Sequence, residues 1–229
     1  MAAVTVATGL TGCLPSSSAA ARTPLGTPAP APGGTGGFSL LATHDDGSAV
    51  TFDPCQPVHV VVRPDQEPPG GRALLLSVLG ELSAATGLQF LDDGATDEGP
   101  DEARALRQPE RYGDRWAPVL VTWSSPAETA MLSDDVLGRA GPDVAGHGDA
   151  SRFVSGSAVF NAPLLAAQLS GGEEDKARAV LLHELGHLVG LDHVQDPFQV
   201  MYDTNSYPLA GYRAGDLRGL HVLGTGHCS

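Results

Sequence analysis

Four side chains late in the chain stand at spacings suited to metal-assisted hydrolysis: His183, Glu184, His187 and His193, within the run HELGHLVGLDH. His183 and His187 are four apart, so on a helix both project from one face, where two imidazoles can reach one zinc ion at about 2.0–2.1 Å. Glu184 sits beside the first of them. It is placed to touch a water at the metal rather than the metal itself, and to take its proton as the water attacks a carbonyl. On a continuous helix His193 would lie about 240° round the axis from His187, facing away. The helix must therefore end between them, and Gly190 stands where a left-handed turn would reverse the chain without a Cβ penalty. Three neutral imidazoles leave the fourth tetrahedral position open, the arrangement of a catalytic rather than a structural zinc.

The elements that must position these groups can be read in outline. Residues 57–63 are β-branched and bounded by prolines, as in a strand. Residues 72–86 put Leu75, Val78, Leu79 and Leu82 at helical spacing, and Gly87 is a stop. Residues 88–91, 119–123 and 152–160 read as further strands, with Gly156 weakening the last or marking a bulge. Ser170 and Glu173 have capping-box spacing, so the metal-binding helix is expected to start at Ser170, with Ala177, Val180, Leu181 and Leu188 on its apolar face. Strand, helix and two strands followed by a long helix make a mixed α/β (α+β) domain.

The stretch HELGHLVGLDHVQDPFQVMYDTN resembles the catalytic signature of matrixins, the matrix metalloproteinase branch of the metzincins. Met201 falls eight residues after His193, where these peptidases carry a methionine turn beneath the zinc, and Tyr202 follows it as in matrixins. Further on, GDLRGLHVLG resembles the segment that opens the matrixin C-terminal helix, with Asp216 and Gly219 matching. The resemblance implies a mixed twisted sheet with an active-site helix and a C-terminal helix. It also implies one catalytic zinc held by His183, His187 and His193, with Glu184 as general base for peptide-bond hydrolysis. The substrate would lie extended along an edge strand, with residues 153–160 or the segment before them bordering the cleft and the chain after Met201 walling it. Departures are visible. No Pro-Arg-Cys-Gly switch is present, and Asp203 stands where astacins and serralysins place a tyrosine ligand. His147 and Asp149 faintly resemble upstream metal ligands of matrixins but sit in a segment that reads as plain loop. Asp192 reads as a local hydrogen-bonding group, and His44, His59, His221 and His227 as structural or surface residues.

The bulk properties narrow the class. The net charge is −14, which argues against a nucleic-acid partner, since that needs a basic stripe. All but Lys176 of the 13 basic residues are Arg, and with the Ala, Gly and Pro excess this points to a high-GC bacterial genome. Residues 92–102 are rich in Asp and Glu. They read as a solvated loop, with a calcium site as the sharper alternative. Residues 1–13 end in Leu10-Thr11-Gly12-Cys13, which resembles a lipoprotein processing site, although the segment is short and lacks a positive start. The bland alternative is a tail with a stray cysteine. Residues 14–37 read as a Pro/Gly-rich solvated linker and residues 38–229 as the folded domain.

The expected protein is therefore a monomeric zinc endopeptidase, acting on protein or peptide substrates. It would be extracytoplasmic, either secreted or anchored by lipid at Cys13 to the outer face of the cytoplasmic membrane. A zinc amidohydrolase on cell-wall material and a catalytically weak zinc-binding surface module are the rivals. Cys55 and Cys228 are expected to form a disulfide worth about 2–4 kcal/mol. The rival for Cys55 is a zinc-ligating latency switch.

Overall fold

A computed structural model of the chain describes residues 22–34, 36–204 and 209–228. Cys13 and the segment before it lie outside the described residues. The main sheet contains β2 (Val58–Arg63), β3 (Phe90–Ala95), β4 (Val119–Ser124), β5 (Gly138–Ala145) and β6 (Arg152–Asn161), in the spatial order β3-β2-β4-β6-β5. All neighbours pair parallel except β5, which runs antiparallel to β6 at one edge. Ahead of these, β1 (Ser39–Leu40) pairs with β7 (Leu191–Asp192) in a separate ribbon. The helices are α1 (Gly71–Thr86), the short α2 (Pro109–Tyr112), α3 (Ala162–Ser170), α4 (Glu174–Val189) and α5 (Ala214–Gly224). The mixed α/β reading holds. Among the described residues, no helix is long and apolar enough to cross a membrane.

The core forms where periodicities of two and 3.6 meet. Val58, Val60 and Val62 alternate along β2, while Leu75, Val78 and Leu82 recur on one face of α1, and all are buried. Every residue of β4 is buried, as befits a central strand covered on both faces. Trp123 of β4 packs on Phe160 of β6, and Leu181, Leu185 and Leu188 of α4 join the same cluster.

Three readings need correction. Ser170 does not open the metal-binding helix. It closes α3, which Asn161 caps, and its hydroxyl donates to the Ala167 carbonyl; α4 begins at Glu174 after the break at Gly171 and Gly172. The second strand runs Phe90–Ala95, so Leu88 is buried ahead of it. Residues 22–34, 36 and 37 are also more than a solvated linker. Leu25 N–H donates to Pro54 O and Ala29 N–H to Ala84 O, while His221 and Arg218 of α5 donate to the carbonyls of Ala29 and Pro32. Backbone groups make these contacts, so a lack of apolar side chains does not prevent them.

Cys55 and Cys228 are joined, with their Cα atoms 5.3 Å apart, so Cys55 is a bridging cysteine rather than a metal ligand. Most acids of the 92–102 segment pair with arginines. Asp92 meets Arg72, Asp93 meets Arg115, Asp97 meets Arg111 and Glu98 meets Arg104. Among the described residues, neither this segment nor His147 and Asp149 gathers ligand atoms round one point.

Candidate metal centre

The helix α4 carries His183, Glu184 and His187. It ends at Gly190, whose φ of 115° is left-handed, and the reversed chain pairs with β1 before delivering His193. The three Nε2 atoms then lie 3.0 to 3.1 Å from one another. His183 Nδ1 donates to the Val200 carbonyl at 2.8 Å and His187 Nδ1 to the Leu191 carbonyl at 2.8 Å. With their protons on Nδ1, both rings turn unprotonated Nε2 lone pairs toward each other. Lone pairs cannot hydrogen-bond to one another, so their convergence fits a shared cation, and three nitrogens at about 2.0–2.1 Å from one zinc would stand at much this separation. Burial lowers the His183 pKa to about 4, opposed by the Val200 carbonyl, and burial likewise lowers that of His187. Neutral imidazole is the form a metal requires. His193 is the exposed member, and its backbone N–H is held by the Asp192 carboxylate at 2.8 Å.

Met201 lies directly beneath. A Cβ on Gly186 would stand 2.5 Å from the Met201 sulfur, so the glycine inside the histidine motif is what lets the methionine turn close against α4. The Val194 N–H donates to the Met201 carbonyl and ties the turn to the residue after His193. Asp216, buried at the start of α5, accepts from the N–H groups of Val200 (2.9 Å), Met201 (3.3 Å) and Arg213 (2.8 Å). Tyr212, also buried, donates its hydroxyl to the Leu182 carbonyl at 2.7 Å.

Glu184 is buried against the β5 edge. Burial raises its pKa to about 7 in the metal-free protein, opposed by a hydrogen bond from the Ala140 backbone and by the charge of Arg139. A Cβ on Gly138 would come within 2.8 Å of Glu184 Cγ, so β5 can approach only because that position is bare.

Residues 122–219 match the family model of the matrixins. The chain is matrixin-like. The match starts inside β4, takes in β5, β6, all three histidines and Met201, and stops within α5. No curated protein matches the sequence. The matrixin match supports a zinc metallopeptidase in general, and the His183, His187 and His193 cluster could hold the metal that such a matrixin-like domain requires. Sequence reading had not singled out Gly138, Ala140, Tyr212 or Gln199. Only Gly138 left any signal, as a glycine that no turn would explain.

Proposed function

We propose that this chain is a zinc endopeptidase in which His183, His187 and His193 hold the metal and Glu184 is the general base. The observation that carries the reading is the convergence of three Nε2 atoms, two of them with their lone pairs turned inward, next to a buried carboxyl group. Bound zinc supplies Lewis acidity toward a carbonyl oxygen and toward water. Glu184, with its affinity for protons raised by burial, takes one from the attacking water and passes it to the leaving amine. The N–H of Ala140 and the bare Gly138 fix where that carboxyl group lies. An extended peptide would add to the sheet alongside β5, with its scissile bond over the histidines. The Cys55–Cys228 bridge supports an oxidising, extracytoplasmic setting. With the Leu-Thr-Gly-Cys run, it supports anchoring through Cys13.

Two variants separate metal binding from catalysis. Glu184→Ala should keep zinc and lose roughly 10²–10⁴-fold in turnover. His187→Ala should lose both zinc and activity. Digestion of a mixed peptide library, scored by mass spectrometry beside cell-wall fragments, distinguishes the substrate class. Cleavage confined to cell-wall amides would replace the endopeptidase reading, and wild-type turnover by Glu184→Ala would remove it as the base.

A further inference from the structure

His183 is oriented by the Val200 carbonyl, and the residue before Val200 is the buried Gln199. Its side chain joins three parts of the molecule. Oε1 accepts from the Asp216 N–H at 2.8 Å, satisfying one of the donors left open in the first turn of α5. Nε2 donates to the Gly37 carbonyl at 2.9 Å, across 162 positions of sequence. The Asp216 carboxylate returns to the Val200 and Met201 N–H groups. The polypeptide around Gly37 is itself clamped. Arg218 donates to the carbonyls of Pro32 and Gly36, and two residues beyond Gly37, β1 pairs with β7 just before His193. Two glycines of α5, one turn apart, make room for this. A Cβ on Gly215 would fall 2.0 Å from Gln199 Nε2 and 2.3 Å from the Gly37 oxygen, and one on Gly219 would fall 2.5 Å from Leu191 and 3.0 Å from Phe38.

From this arrangement we infer that Gln199 is a positioning residue through which residues 32–34 and 36–40, laid along α5, hold His183 in its metal-facing orientation; the inference rests on His183 being a ligand. The strap acts on the site from behind. It touches neither substrate nor metal, and it sets the carbonyl that fixes the His183 tautomer and ring angle. Outer partners of metal-bound histidines typically change metal affinity by about 10–100-fold when removed. Gln199 acts one bond further out, so the lower end of that range is expected.

The test uses the full chain and zinc alone as probe, measuring zinc affinity by chelator competition, the melting temperature of the metal-free protein, and kcat and KM. Gln199→Met keeps the length of the side chain and loses both bonds. Gly215→Ala leaves Gln199 chemically intact and wedges the joint apart. Arg218→Ala loosens the strap away from the core, and should fold even if the first two do not. Zinc affinity is expected to fall on the order of tenfold in Gln199→Met and Gly215→Ala, and by a smaller factor in Arg218→Ala. kcat should fall more than KM changes. Gly33→Ala, where a Cβ meets nothing within 4 Å, should behave as wild type. A lower melting temperature with unchanged zinc affinity would reduce Gln199 to a structural role and overturn the inference. So would wild-type affinity in Arg218→Ala, should the other two variants fail to fold. A wild-type protein that binds no zinc would overturn the metal-site reading, and this inference with it.

Discussion

At one edge of the main sheet, β3 and the residues after it carry Asp92, Asp93 and Asp97, each held by an arginine. At the opposite edge, β5 presents Arg139 as its one charge from Gly138 to Gly141, and then Pro142, which has no N–H to offer. Charged side chains discourage a further strand from pairing, so the β3 edge is closed. The first half of β5 is left open over the stretch where Ala140 and Gly138 meet Glu184. An edge strand with bare backbone is a liability unless something is meant to pair with it. On the proposed function, the open half of β5 is where an extended substrate would pair.

The sharpest way to break this contrast is to fill Gly138. The Cβ of Gly138→Val would collide with Glu184 Cγ, so turnover should fall by roughly the 10²–10⁴-fold that a general base contributes, with zinc content kept. Kinetics and metal analysis on one preparation check it, and wild-type turnover would detach β5 from the site.

Next comes the group that ties the two sides together. Arg104 is buried with Glu98. It also donates to Ser155 Oγ at 3.0 Å and to the carbonyls of Gly156 and Pro118, joining the segment after β3 to β6. Arg104→Met removes the charge partner of Glu98 and leaves it only the Tyr112 and Gln108 hydrogen bonds, so it should cost up to about 3 kcal/mol, read as a lower melting temperature. The pH dependence should also weaken. Burial would raise the Glu98 pKa, but hydrogen bonds from Arg104, Tyr112 and Gln108 outweigh it and leave the pKa below its usual value. Its contribution in the wild type is therefore present above the unfolded carboxylate pKa of about 4.3 and lost as pH falls through the lower folded value. In Arg104→Met burial is opposed only by Tyr112 and Gln108, so the folded pKa rises and less stability is lost as pH falls. Thermal melts at several pH values would show whether the slope flattens; parallel curves for the two proteins would contradict it.

The smallest effect belongs to the β3 side. Arg111 pairs with Asp97, which is 88% exposed, and solvent screens such pairs. Arg111→Ala should shift stability by less than about 1 kcal/mol and leave turnover alone. A large loss in either would mean that this side is not the passive one.

What the sequence made legible follows from locality. His183, Glu184, His187 and Gly190 lie on one helix and its cap, so spacing alone brings them near one point, whereas Met201 was legible only through the resemblance to metzincins. The strand β5 was not legible. GRAGPDVA has little strand propensity, and only its pairing with β6 makes it a strand. Ser170 misled because capping-box spacing is short-range and easily matched, whereas the chain breaks at Gly171 and at Gly172, whose φ is 75°. The partnership of Gln199 with Gly37 runs through a backbone carbonyl, which every residue possesses, so no pattern of residue types could mark it.

The bridge between Cys55 and Cys228 spans 173 positions and closes most of the described chain into a ring. Severing any one peptide bond inside that ring opens it without releasing a fragment. A molecule nicked by a neighbour, or by itself, would migrate as a single species on a gel until a reductant was added, and would then fall into two pieces. Nicking between Cys55 and Cys228 therefore shows on a gel only under reducing conditions.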